Sequence, residues 1–261
     1  MENVRVIARL DVKNSDLVKG IQFEGLRKLG NQNEFAIKYY EQGADELLYI
    51  DIVASLYERN YLQEVIKEAT KNVFIPITVG GGIRSISDVE TLLNSGADKV
   101  VVNTGGIKNP QLITEIAMKY GSQCVVVSIE AKKIGPNKWE AYYDNGREKS
   151  GLDAIDWAVA AEKLGAGEIL ITSVDQEGTE KGFDIDLIKS LTNVVSIPVI
   201  AGGGMGETKD AIDAVKSGGS NAIAVASILH YNKFSIEDIK RALYEHQVEV
   251  RRTYIEESSD N

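Results

Sequence analysis

The chain has 261 residues, 43% of them hydrophobic, enough for one large α/β domain or two small ones with a sizeable buried core. Its formal charge is −10, with no basic tract and few aromatics, a balance that argues against a nucleic-acid partner. One cysteine, Cys124, and two histidines, His230 and His246, exclude a disulfide framework and leave little for a metal site; no apolar run approaches the roughly 18 residues of a membrane span.

The first residues, MENVRVIARLDV, lack the charged-then-apolar layout of a secretory leader and run straight into a strand, so the expected compartment is the reducing cytoplasm. In chain order, strands are expected near residues 4–11, 46–51, 74–79, 99–103, 124–130, 168–173, 197–201 and 221–225. Amphipathic helical stretches separate them, such as EFAIKYYEQG at 34–43 and SDVETLLNSG at 87–96, and a last helix lies near 235–245. Eight strand–helix units in a chain of this length predict a (β/α)8 barrel over residues 1–250, with a doubly wound open sheet as the rival. The acidic tail at 251–261 is expected to fray.

The chain repeats itself. Gly80 answers Gly202, GADELLYID at 43 answers GAGEILITS at 165, and GADKVVVNTGGI at 96 answers GGSNAIAVASIL at 218, always 122 residues on. The first strand, VIARLDVK, matches VVVSIEAK at an offset of 119. Four strands recur in order, so the barrel is expected to be two duplicated half-barrels, about 1–120 and 121–246.

Alternation along a strand assigns faces. In the first strand Val4, Val6, Ala8 and Leu10 form the apolar outer face, sending Arg5, Ile7, Arg9 and Asp11 inward. In the fifth, Cys124, Val126, Ser128 and Glu130 are expected inside. Asp11 and Glu130 end opposite strands at the C-terminal mouth, a pair suited to acid/base chemistry if their surroundings split their pKa values. Glycine-rich turns at the same mouth offer main-chain N–H groups to phosphate without net positive charge. Gly82 with Asn103 and Thr104 forms one such cradle, and Gly204 with Ala226 and Ser227 the other. Two cradles flanking a carboxylate pair suit a long substrate with a phosphate at each end. At the opposite rim Arg5, Glu46, Lys99 and Glu168 all point inward, either closing the barrel floor as a salt-bridged ring or gating the passage of a small molecule.

The stretches LDVK, VKG, GADEL, TVGGGIRS, GADKV, GSQCVVVSI, GAGEIL, GFD, SIPVIA and ASILH resemble the cyclase subunit of imidazole glycerol phosphate synthase, the HisF family, over nearly the full chain. That resemblance implies a barrel working with a HisH-like glutaminase docked on its N-terminal face. Ammonia would pass the ring Arg5, Glu46, Lys99 and Glu168 and rise through the lumen. It would attack a bisphosphorylated ribulosyl-formimino-aminoimidazole carboxamide nucleotide, and cleavage with ring closure would give imidazole glycerol phosphate and aminoimidazole carboxamide ribonucleotide. No metal or organic cofactor is implied. Asp11 falls on the family's catalytic aspartate, Lys19 on the lysine of its mobile first loop, and Asp51, Glu177 and Gly178 on substrate-binding positions.

The chain departs from the family where Glu130 and Glu177 replace aspartates and Arg9 replaces a cysteine. An always-charged guanidinium in the lumen needs a carboxylate; Glu130 is the expected partner, which would lower its pKa and weaken it as an acid. ARLDVK and SIEAKK also resemble relatives in surface-polysaccharide pathways, where the barrel is a conduit passing ammonia to a separate sugar amidotransferase. The 133–151 segment is expected to form a small hairpin turning at Pro136–Asn137, with Trp139 on it and Trp157 on the following helix. His230 is read as a packing or hydrogen-bonding residue.

Overall fold

The computed structural model describes residues 3–14, 16–54 and 62–251; most of the expected tail lies outside them. Its strands are β1 (Arg5–Lys13), β2 (Asp16–Ile21), β3 (Glu24–Asn31), β4 (Glu46–Asp51), β5 (Ile77–Gly80), β6 (Lys99–Val102), β7 (Val125–Gly135), β8 (Lys138–Tyr143), β9 (Glu148–Asp153), β10 (Glu168–Ser173), β11 (Val199–Gly202) and β12 (Ala222–Val225). Parallel pairing runs β1–β4–β5–β6–β7–β10–β11–β12 and returns to β1, closing an eight-stranded barrel and excluding the open sheet. Helices follow the strands around the outside, and sequence-local signals start them. Ser85 and Asp88 form a reciprocal capping box ahead of Ile86–Leu93, and Ser235 with Asp238 does the same for Ile236–Glu245.

Two apolar layers result from strand alternation. Val6, Ala8 and Leu10 pack outward under the helices, while Ile7, Leu48, Val101, Val126, Leu170 and Ile200 fill the lumen as a separate cluster. Cys124 departs from the expected pattern. It sits in a one-turn 3-10 helix, Ser122–Cys124, just before β7, and packs with the outer layer, because alternation holds only once the chain is extended.

Two insertions at the C-terminal mouth were only partly legible. The loop expected around Lys19 is an antiparallel hairpin, β2–β3, paired to the end of β1. β7 runs on past the barrel to Gly135 and turns at Pro136–Asn137 into β8, as expected, but the segment continues into a third strand, β9. Trp139 on β8 is fully buried, its indole N–H donating to Asp184 at 2.9 Å, and Trp157 is buried on the helix Ala154–Leu164.

Candidate active site

The floor of the barrel is a closed ring of charge. Arg5 reaches Glu46 at 2.8 Å and Glu168 at 2.9 Å, and Lys99 reaches the same two carboxylates at 3.0 and 2.8 Å. Thr78 donates a further hydrogen bond to Glu46, which is 2% exposed. Four strand-starting residues thus alternate in sign around one opening, with the apolar lumen cluster directly above.

At the other end, Asp11 and Lys19 meet although they lie on β1 and the hairpin. Lys19 Nζ donates to Asp11 Oδ2 at 3.2 Å and to Glu177, so the lysine bridges two buried carboxylates. Arg9 Nε donates to Asp11 Oδ1 at 2.8 Å, two residues along the same strand face. Burial alone would raise the Asp11 carboxyl, but Arg9 and then Lys19 overcome it and bring it down to about 2. Burial would likewise lower the lysine; Glu177 and Asp11 carry it upward instead.

Glu130 behaves oppositely, which corrects the expected Arg9–Glu130 pair. Among the described residues its hydrogen-bond partner is the Gly146 N–H, at 2.7 Å, in the turn between β8 and β9. Arg9 is committed to Asp11 and, at 3.4 Å, to the Thr172 hydroxyl across the barrel. Burial therefore dominates at Glu130 and pushes its carboxyl up to about 7, the Gly146 amide and Arg9 offsetting only part of it and the Asp11 charge adding to it.

Two cavities open on either side. Gly82, Asn103, Thr104 and Asp51 line one together with Glu130; Gly204, Gly178, Glu177, Ala226 and Ser227 line the other. Arg9 lines both. The duplication is visible in the backbone: Asn103 (φ −122°, ψ −87°) and Ala226 (φ −129°, ψ −80°) precede short helices without any side-chain cap, leaving the first N–H groups of each unpaired by side chains. Gly204 has φ +109° and a Cβ there would lie 2.1 Å from the Gly182 carbonyl oxygen, so only glycine fits this turn. Asp51 lines its cavity but its carboxylate accepts the Val53 N–H at 2.9 Å, holding the loop after β4.

His230 is buried, its Nδ1 2.6 Å from the Tyr39 hydroxyl, and burial followed by the Lys19 charge pushes it down to about 3. It is neutral at any ordinary pH. Two residues that sequence reasoning undervalued also meet the site: Gly146, through the Glu130 bond, and Phe23, whose ring lies 5.8 Å from the Arg9 guanidinium. Their only advance signal was NG and FEG turn chemistry in the two insertions.

Comparison with known proteins gives a consistent result. The family model described as histidine biosynthesis protein matches residues 5–235. The HisF subunit of imidazole glycerol phosphate synthase from Legionella pneumophila is 61% identical over 210 residues, covering 80% of this chain and 99% of the relative. The same subunit from Dehalococcoides mccartyi is 47% identical over 251 residues, covering 96% and 99%.

Proposed function

The chain belongs to the histidine biosynthesis protein family, and from that membership we infer that it is the cyclase subunit of an imidazole glycerol phosphate synthase. It works with a glutaminase that supplies ammonia, and the charged ring of Arg5, Glu46, Lys99 and Glu168 is the entrance through which ammonia reaches the lumen. A sugar-amidating conduit has no support from the relatives above, which carry the synthase's name.

The observation that carries the reading is the unlike pairing of two buried carboxyls between cavities with glycine turns: Asp11 is held by Arg9 and Lys19, while Glu130 has the Gly146 N–H as its hydrogen-bond partner among the described residues. That pairing holds Asp11 below the usual carboxylate range, and burial pushes Glu130 up to about 7. Condensing ammonia with a ribulosyl ketone expels water, and closing the ring on the formimino carbon expels an amine. Both departures need a proton, and the nitrogen that attacks must lose one. Glu130 is the acid, because it keeps its proton near neutrality; Asp11 is the base and stabilises developing positive charge, because Arg9 and Lys19 keep it ionised. The cradle of Gly82, Asn103 and Thr104 takes one phosphate and that of Gly204, Ala226 and Ser227 the other, each by main-chain N–H groups. Lys19, with Glu177 and Gly178, positions the ligand from above. The test is turnover of the bisphosphorylated nucleotide by the purified chain with ammonium salt. Release of aminoimidazole carboxamide ribonucleotide is expected; a folded protein that leaves substrate untouched at saturating ammonium removes the reading.

A further inference from the structure

Arg9 holds Asp11, and among the described residues it is also the one side chain that lines both cavities. It is 4% exposed and its guanidinium crosses the lumen from β1 to Thr172 on β10. Of its three nitrogens, Nε binds Asp11 and Nη1 reaches Thr172, while Nη2 donates to no described residue. The Phe23 ring approaches the guanidinium from the hairpin side, 5.8 Å from its centroid to the guanidinium carbon. A buried cation that lines both cavities, with one donor unused by the described residues and Nε fixed on Asp11, is placed to meet the middle of whatever spans them.

We propose that Arg9 is a substrate-binding residue, donating from Nη2 to an oxygen in the central, unphosphorylated part of the bisphosphate ligand while Nε fixes the orientation of Asp11. The ligand class it selects is a bisphosphate whose linker carries a carbonyl, carboxamide or hydroxyl oxygen. This rests on the cyclase reading for the identity of that ligand and deepens it. The guanidinium belongs to the linker, not to either phosphate, because both cradles already offer main-chain N–H groups and Arg9 sits between them.

Binding of the bisphosphorylated nucleotide is measured calorimetrically without ammonia, so that no turnover occurs, for the full chain and for Arg9→Lys and Arg9→Met. Losing a charge-assisted donor is expected to weaken binding about 10- to 100-fold in Arg9→Met. Arg9→Lys keeps a cation beside Asp11 but not the forked geometry, and is expected to lose roughly 10-fold while folding normally, so it decides the matter if Arg9→Met does not fold. Orthophosphate, which fills a cradle but has no linker, is expected to bind all three proteins within about twofold. Equal nucleotide affinity in wild type and Arg9→Lys overturns the proposal, as does an equal loss of orthophosphate affinity, which would make Arg9 part of a cradle. If wild type binds the nucleotide but does not turn it over with ammonium, the cyclase reading fails alone; if wild type does not bind it, both fall.

Discussion

Replacing Glu130 by glutamine tests the buried-acid reading without any assay of turnover. The carboxyl rises from an ordinary 4.5 to about 7 on folding. The folded state therefore holds the proton more tightly than the unfolded chain, and stability falls as pH rises through the window from 4.5 to about 7. Across the whole window the loss is about 3 kcal/mol, and between pH 5 and pH 8 about 2–3 kcal/mol, since part is already gone at pH 5. Glutamine has nearly the same shape, can still accept the Gly146 N–H, and does not titrate. Asp11 changes protonation well below this range and so leaves the comparison unaffected. His230 is depressed to about 3, so the unfolded chain takes up its proton below about 6.5, but it does so in both proteins and cancels. Urea unfolding followed by circular dichroism at pH 5, 6.5 and 8 gives the difference directly. Wild type is expected to lose about 2–3 kcal/mol relative to Glu130→Gln between the ends of that range. Parallel curves would mean that Glu130 is not desolvated, and the acid assignment would go with it.

At a constant concentration of un-ionised ammonia, kcat/KM is expected to be flat from pH 5 to 6 and to fall above about 7 as Glu130 loses its proton, with no acid limb from Asp11; a limb near pH 4 would contradict the Arg9–Asp11 pairing. Glu130→Asp is expected to lower kcat about a hundredfold, because the shorter arm leaves the Gly146 amide behind; unchanged kcat would show that this anchor is irrelevant. Glu46→Ala takes away one of the two carboxylates shared by Arg5 and Lys99, leaving both cations on Glu168, and is expected to cost about 1–3 kcal/mol in denaturant unfolding, with ammonium-driven turnover retained at temperatures where the variant is folded. Gly204→Ala introduces a Cβ 2.1 Å from the Gly182 carbonyl and is expected to raise KM for the bisphosphate far more than it changes the ammonia dependence.

Much of this molecule is legible in its sequence. Alternating apolar runs mark eight strands, and the common offset of 122 pairs Gly80 with Gly202 and the 96–107 segment with 218–229, because each half must build the same strand end and turn. Parity alone brought Arg5, Glu46, Lys99 and Glu168 to one inner ring, and the ring closes with four ion pairs. Parity failed at Cys124, where a 3-10 turn breaks the two-residue period. The hairpin carrying Lys19 was hidden because β3 has no buried position and the buried positions of β2 are consecutive, so neither strand shows an alternating apolar pattern.

Side-chain identity and periodicity determined the closed barrel, its two repeated glycine turns and most of the residues that face the lumen, since these depend on local geometry repeated along the chain. Only the tertiary structure decided that Arg9 takes Asp11 and not Glu130, and that the second carboxyl keeps its proton to about 7. Ion pairing and desolvation depend on distances between strands far apart in sequence and on how much water reaches each group. Those quantities exist only once the barrel has closed and the β8–β9 turn has folded over Glu130.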